Sequence, residues 1–418
     1  MRQWIILFCT LIFIQSFTGC KKTYEKEIID VLSCIKEKYA PDSRIALFNV
    51  NFNKKNPPIV TGETNLINAY NELDSILKTD YPEIELKVDL LPSESLDSLI
   101  YGLITISVAN LRSSPRHSAE LITQGILGTP VRILKKEENW YLIQTPDSYL
   151  GWTTESSISL CTEKELNNFN HSDRIIYTEL TGTCYSFPDE HSLPVSDLVA
   201  GSILKTIDKN PGFRQVLFPD GRTGFVDKNQ CKHFEEWKQS CIQNHQSIMQ
   251  DEESDFYKEI AATAMRFIGL PYLWGGTSSK GVDCSGFTKT VYFINGIILQ
   301  RDASQQVLYG ELVDASDGYK NLEPADLLFF GVHETDSTCE RVTHVGIYIG
   351  NGEIIHSSGM VKINSLIPGA ENYNGDLNSS FIRARRIITC IGEPGIEPVF
   401  SNELYGDTVS QIYLNERR

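Results

Sequence analysis

The sequence predicts a multidomain chain: a helical N-terminal region, two small β-barrels in tandem, and a C-terminal α+β domain that carries the chemistry. Three observations lead there. At 418 residues the chain exceeds a single core of ordinary size and calls for roughly two to four domains. The apolar period changes from helical to short-strand near Leu103, and a helix–loop–helix–strand pattern takes over near Asp255. A set of turn residues in the strand region also recurs at one constant offset.

The first twenty residues stand apart. A basic start, "MRQ", leads into "WIILFCTLIFIQSF", too short for a comfortable membrane span, and "TGC" closes it with small residues and Cys20. That order reads as a secretory signal peptide over residues 1–19. The small-small-Cys ending resembles a bacterial lipoprotein cleavage box, which implies acylation of Cys20 and a body tethered to a membrane surface without spanning it. A plain signal sequence with an incidental cysteine is the competing reading. Residues 20–100 then read as the lipid-anchor site and a helical region with polar loops. Ile28, Ile29, Leu32, Ile35 and Tyr39 fall at helical spacing, and a second helical run stops at Pro82.

From Leu103, "ITISVANLR", "TPVRILKK", "NWYLIQTP" and "YLGWTTESSI" are short strands between turn formers, at the spacing of a small barrel over residues 101–165. A second copy follows at 170–235. Pro115 matches Pro188, Gly128 matches Gly201, Pro146-Asp147 matches Pro219-Asp220, and Gly151-Trp152 matches Gly224-Phe225, which predicts a tandem duplication. A helical or loose connector covers 236–254, the last domain 255–391, and a polar tail 392–418.

The net charge of −16 argues against nucleic acid, whose binding depends on cationic contacts to phosphate. Of ten cysteines, Cys9 lies in the signal and Cys20 at its end, leaving eight. Export permits disulfides, but one working thiol among the eight leaves at least one other unpaired within the chain. No Cys/His spacing of zinc type occurs, so neither metal nor cofactor is expected.

The last domain opens with a helix, "SDFYKEIAATAMRFIGL", for which Ser254 is a candidate N-cap, with Phe256, Ile260, Ala264 and Phe267 on one face. A loop rich in Gly and Pro follows, then a helix that begins near Cys284 and stops at Asn295-Gly296. Cys284 stands between an acid and a Ser-Gly pair, without the apolar neighbours of a packing thiol. At a helix start it meets backbone N–H groups and the positive end of the dipole, which favour thiolate and can face an oxyanion. "VTHVGIYIG" alternates like a strand and carries His344; "EIIHSSG" is a second strand carrying His356; Asn351-Gly352 between them is a hairpin signal. Such a hairpin brings both imidazoles to one side of a sheet, one as base and the other holding it in the right tautomer. Taken singly, each feature is more often structural. Taken together and in order, they indicate a cysteine nucleophile with its base. His333, in a polar loop, is assigned no role.

"PYLWGG", "DCSGF", "RDASQQ", "PADLLFF", "THVGIYIG" and "IIHSSG" occur in the order and rough spacing of the NlpC-type cell-wall cysteine peptidases, which the C-terminal domain resembles throughout. That resemblance implies a papain-like fold. "NLRSSP" with "YLGWTTES" resembles bacterial SH3-like barrels, the second copy more weakly because it lacks the Asn-Leu-Arg segment. Barrels in front of such a domain resemble the γ-D-glutamyl-L-diamino-acid endopeptidases, also called dipeptidyl-peptidase VI. The resemblance implies that Cys284 is the nucleophile, His344 the base and later acid, and His356 the polar third member, with Tyr272 in the oxyanion hole. It implies substrate contacts for Trp274, Asp283 and Ser285, and for Asp302 a carboxylate that binds the free amine of an N-terminal L-Ala. An N-cap for "ASQQVLYG" is the other reading of Asp302. Ala303 departs from relatives that carry a hydroxyl there, so one substrate hydrogen bond is missing. In that subfamily the first barrel closes one end of the groove; Tyr149 and Glu120 are the candidates for it, with plain barrel surface as the other reading of Tyr149.

The expected function is hydrolysis of the γ-D-glutamyl–diamino acid bond in peptidoglycan stem peptides with a free N-terminal L-Ala, in cell-wall turnover. The expected protein is an exported, lipid-anchored monomer facing the periplasm or cell surface. Two alternatives stand beside it. Another wall amidase or acyltransferase of the same fold would not require a free amine. A catalytically idle binder of wall fragments would not need Cys284, His344 and His356 together.

Overall fold

The computed structural model describes residues 23–209, 212–249 and 255–406. The signal, Cys20 and Ser254 lie outside these residues. Among the described residues no helix is long and apolar enough to cross a membrane. The chain divides into two compact units, 1–91 and 92–418.

The first unit holds α1 (Thr23–Tyr39), β1 (Phe48–Asn53), β2 (Ile59–Thr64), α2 (Ile67–Asp80) and β3 (Glu85–Leu90). β1 runs antiparallel to β2, and β3 parallel to β2 after the α2 crossover. Ile28, Leu32 and Ile35 of α1 and Ala69, Leu73 and Leu77 of α2 pack on Phe48, Val60 and Val88. The expectation of a helical region is therefore corrected to α/β. "FNVNFN" alternates, but with asparagine, which strands disfavour, and so reads as polar loop.

In the second unit, β4 (Tyr101–Ile104), β5 (Val108–Arg112), β6 (Leu121–Ile126), β7 (Pro130–Glu137), β8 (Trp140–Gln144), β9 (Leu150–Thr154) and β10 (Ile158–Cys161) form one sheet, ordered β10-β4-β7-β8-β9-β5-β6. After α3 (Glu163–Asn170) come β11 (Arg174–Tyr177), β12 (Thr181–Tyr185), β13 (Pro194–Val199), β14 (Ile203–Lys209), β15 (Phe213–Leu217), β16 (Thr223–Asp227) and β17 (Cys231–His233). Their order, β17-β11-β14-β15-β16-β12-β13, repeats the first strand for strand. Tyr101 against Arg174, Val108 against Thr181 and Leu150 against Thr223 give one spacing of 73, which all seven strand starts share. The repeat inferred from turn residues is thus a repeat of topology.

α4 (Phe234–Met249) fills the connector, burying Phe234, Trp237 and Ile242. Then follow α5 (Phe256–Met265), β18 (Thr277–Ser278), β19 (Gly281–Val282), α6 (Cys284–Ile294), β20 (Ile297–Leu299), α7 (Ala303–Gln306) and β21 (Glu311–Val313). β22 (Leu327–Val332), β23 (Arg341–Gly350), β24 (Glu353–Ser358), β25 (Met360–Ser365), α8 (Gly375–Ser379), β26 (Phe381–Arg386) and β27 (Ile396–Pro398) complete the unit. Asp255 occupies the N-cap position of α5. A six-stranded antiparallel sheet, β21-β26-β22-β23-β24-β25, carries α5 and α6 against one face. Phe287 and Val291 of α6 meet Phe329, Val345, Ile347 and Ile355 in that core.

The expected polar tail is corrected as far as residue 406. β27 pairs antiparallel with β20, and Val399, Phe400, Leu404 and Tyr405 are buried. Asn402 donates to the Pro146 carbonyl at 3.0 Å. These apolar residues are scattered among polar ones, too few and too short a run to show a period.

Candidate active site

Cys284 is the first residue of α6, and Asp283 caps that helix by accepting the Gly286 N–H at 2.7 Å. The same carboxylate accepts the Gly275 N–H at 2.9 Å. Arg301, 1% exposed, donates to both Asp283 oxygens and to Ser285 Oγ at 3.0 Å. A buried carboxylate needs this degree of pairing to stay charged.

The thiol is buried, and burial, reinforced by the charge of Asp283, pushes it up to about 11. The Val345 N–H, Arg301 and the Ser285 N–H pull the other way and do not prevail. Burial therefore works against the thiolate expected from the helix start.

The hairpin forms as its sequence predicts. Asn351 and Gly352 both take positive φ, 54° and 73°, as a type I′ turn requires. Ile347 pairs with Ile355, so His356 lies across from Gly346, two residues from His344 on the same face. His344 Nε2 is 2.8 Å from His356 Nδ1, with the rings edge-on. His356 Nε2 is in turn 2.9 Å from Asn364 Oδ1 on β25. Burial, aided by His356 and Lys362, drops His344 to about 3; burial also lowers His356, against its bond to Asn364. Both imidazoles are neutral at neutral pH, as a base must be. α6 packs on β23 and β24, and the thiol lies against the N–H of Val345, the residue after His344.

Cys284 opens into a cavity of about 460 Å³ lined also by Tyr272, Trp274, Asp283, Ser285 and Asp302. Tyr149 and Glu120, on loops of the first seven-stranded sheet, form part of the cavity wall. Tyr149 is buried, and its hydroxyl donates to Asp302 Oδ2 at 3.0 Å. Asp302 also stands at the N-cap of α7, where its N–H reaches Gln305 Oε1 at 3.1 Å. Asp302 thus stands at the N-cap of α7 while its carboxylate lines the cavity. Trp274 donates to Glu120 Oε1 at 2.8 Å. Burial pushes the Tyr272 phenol up to about 12, so it remains a donor. Ala303 lines the cavity with no hydroxyl. His333 is exposed, with its Nε2 3.3 Å from the Ser379 carbonyl.

The wall is fastened by residues that sequence reasoning missed. Gln124 exchanges backbone bonds of 3.1 and 3.0 Å with Thr277 Oγ1, while its Oε1 accepts from Thr277 N and Ser278 Oγ. Gly275 has φ +76°, and a Cβ there would meet the Leu121 carbonyl at 2.3 Å, so only glycine lets the loop press against the sheet. Asp147, two residues before Tyr149, pairs with Lys289 of α6; Asp147 is buried and Lys289 partly so. Arg301 had a visible signal, an arginine beside Asp302. Asn364 had none, since "MVKINS" reads as an ordinary strand. Every cysteine among the described residues is unbridged.

Residues 269–377 match the NlpC/P60 family and residues 107–159 the bacterial SH3 domain. The chain is 29% identical over 308 residues to the gamma-D-glutamyl-L-lysine dipeptidyl-peptidase of Bacillus cereus, covering 71% of this chain and 81% of that one. It is 35% identical over 243 residues to the Bacillus subtilis protein of that name, covering 56% and 71%. Dipeptidyl-peptidase 6 of Lysinibacillus sphaericus is 28% identical over 70% of this chain and 98% of its own length. The crystal structure of an NlpC/P60 family protein from Bacillus cereus superimposes with a TM-score of 0.54 at 24% identity, over 68% of this chain and 99% of that one. At that identity the likeness is one of fold.

Proposed function

The chain belongs to the NlpC/P60 family, and from that premise we propose that it is a cysteine peptidase that cuts the γ-D-glutamyl–diamino acid bond of peptidoglycan stem peptides with a free N-terminal L-Ala. One observation supports the substrate most directly: the Tyr149 hydroxyl on the Asp302 carboxylate at 3.0 Å, closing one end of the cavity beside Cys284. A carboxylate in a closed end suits an ammonium and leaves no path for further chain. Intact, cross-linked wall is excluded, and released fragments are admitted. The relatives named above are peptidases for gamma-D-glutamyl-L-lysine peptides by name.

The chemistry follows from neutral partners. His344 takes the thiol proton as Sγ bonds to the γ-carbonyl carbon of D-Glu, giving a tetrahedral oxyanion. Backbone N–H groups at the start of α6 and the Tyr272 hydroxyl stabilise that charge. Collapse returns the proton from His344 to the departing amine of the diamino acid, leaving L-Ala-γ-D-Glu as a thioester. Water, deprotonated by His344, then hydrolyses it and restores the thiol. Trp274, Glu120, Asp283 and Ser285 bound the substrate, the last two while held by Arg301.

The domain plan goes with this reading. Residues 1–19 are a signal peptide and Cys20 an acylation site outside the described residues; residues 101–165 and 170–235 are SH3-like barrels; residues 255–391 are the papain-like domain. The protein works as a lipid-anchored monomer on the periplasmic or outer face.

Incubating the mature protein with L-Ala-γ-D-Glu-diaminopimelate and its N-acetyl form, beside Cys284→Ala, tests both parts by mass spectrometry. Cleavage of the free-amine peptide alone, lost in the variant, is expected. Cleavage of both peptides would remove the amine requirement, and cleavage by the variant would remove the nucleophile.

A further inference from the structure

We propose that Asn364 is a positioning residue that fixes the tautomers of both imidazoles, and so keeps the lone pair of His344 on Nδ1, the nitrogen not bonded to His356. This rests on Cys284 and His344 as the reacting pair. The chain of bonds reads in one direction only. Asn364 Nδ2 donates to the Asn372 carbonyl at 3.0 Å. That carbonyl also accepts the Ser365 N–H at 3.0 Å, so it is a fixed acceptor on backbone. Turning the amide over would set two oxygens against each other there. Asn364 Oδ1 therefore faces His356 Nε2, which must carry a hydrogen to bond it at 2.9 Å. A neutral His356 then has a bare Nδ1, and His344 must donate to it from Nε2 across 2.8 Å. The hydrogen of His344 is thus placed on Nε2, and Nδ1 is left as the base.

Without Asn364, His356 can hold its hydrogen on Nδ1 instead and donate toward His344. That would place the second hydrogen on His344 Nδ1, where it blocks proton transfer from sulfur. The charged group acting on this relay is Lys362, whose positive charge disfavours protonation of both rings. Glu353 holds the Asn372 side chain at 3.0 Å and so braces the last link. Asn364 does not line the substrate cavity, so its effect passes through the histidines.

The test uses the full mature chain. Asn364→Leu is expected to lower kcat for the free-amine peptide about 10- to 100-fold, the range typical of lost outer-shell partners, with KM within twofold. Nitrogen-15 shifts of the histidine rings, read without any substrate, should show Nε2–H at both residues in the parent and a mixed state in Asn364→Leu. Asn364→Asp keeps an acceptor for His356 but sets its second oxygen against the Asn372 carbonyl, so it should recover part of kcat relative to Asn364→Leu, with the acid limb of the pH profile moved upward by the added carboxylate. Parent-like kcat and ring shifts in Asn364→Leu would overturn the proposal, as would a loss carried by KM alone or no recovery in a folded Asn364→Asp. A full loss in His344→Ala beside an active Asn364→Leu would sink this inference alone. Activity surviving in Cys284→Ala or His344→Ala would sink the peptidase mechanism itself.

Discussion

Replacing Asp302 by asparagine removes the charge that an N-terminal ammonium would meet and leaves the shape in place. Two unit charges 4 Å apart interact by roughly 4 kcal/mol at an effective dielectric of 20. The Asp302 side chain is 28% exposed, and Arg301 Nη1 lies 3.9 Å from it. Water and that guanidinium therefore take up about half, leaving about 2 kcal/mol, or roughly 30-fold in kcat/KM. The amide oxygen still accepts from Tyr149, so the wall stays closed. The assay is kcat/KM for the free-amine peptide and its N-acetyl form, in parent and Asp302→Asn. The free-amine peptide should lose about 30-fold and the acetylated one less than about threefold, because it brings no charge. Equal losses on both would reduce Asp302 to the cap of α7. No loss on either would place the amine elsewhere.

Tyr149→Phe removes a hydrogen bond to a carboxylate, of the class valued at about 1.5–3 kcal/mol; KM for the free-amine peptide should rise about tenfold with kcat nearly unchanged. The ammonium titrates near pH 8, so kcat/KM should fall above about that pH in the parent and stay level in Asp302→Asn. On the acid side a protonated His344 cannot accept from sulfur, and its ring is held near 3. Activity should therefore persist as pH falls through 6.5, and a sharp acid limb there would contradict the burial argument. Lys289→Met strands buried Asp147, whose side chain is 2% exposed, and should cost about 3–5 kcal/mol by thermal or urea unfolding. Adding Asp147→Asn should restore most of that loss.

The placement of the candidate site was more legible than the architecture. Cys284, His344 and His356 were legible because each sits at a position set by local rules: a helix start after a glycine loop, and two strands joined by Asn-Gly. The duplication was legible because turns constrain residue type where strands do not. The first strand of the first unit was hidden by the asparagines that alternate with its apolar residues. The docking of residues 396–406 was hidden because the partner strand β20 lies about a hundred residues earlier. The burial that opposes ionisation of the thiol was hidden for a related reason: it comes from the sheet packed against the helix. Asn364 and Lys289 do their work through partners distant in sequence, and no spacing announces them.

The two seven-stranded sheets also show where specificity can change. At the spacing of 73, the counterpart of Tyr149 is Arg222 and that of Glu120 is Leu193. Arg222 faces inward to its own turn, on Asp220 at 2.7 Å, and donates to the Thr105 carbonyl of the first sheet at 2.8 Å. The strand framework is shared by both copies, while the turn residues that line the cavity in the first, Tyr149 and Glu120, are not repeated in the second. On the proposed function, one copy recognises and the other braces. Grafting new sequences into residues 113–121 and 145–150 of the recognising copy would let what enters the groove evolve apart from the reaction at its floor.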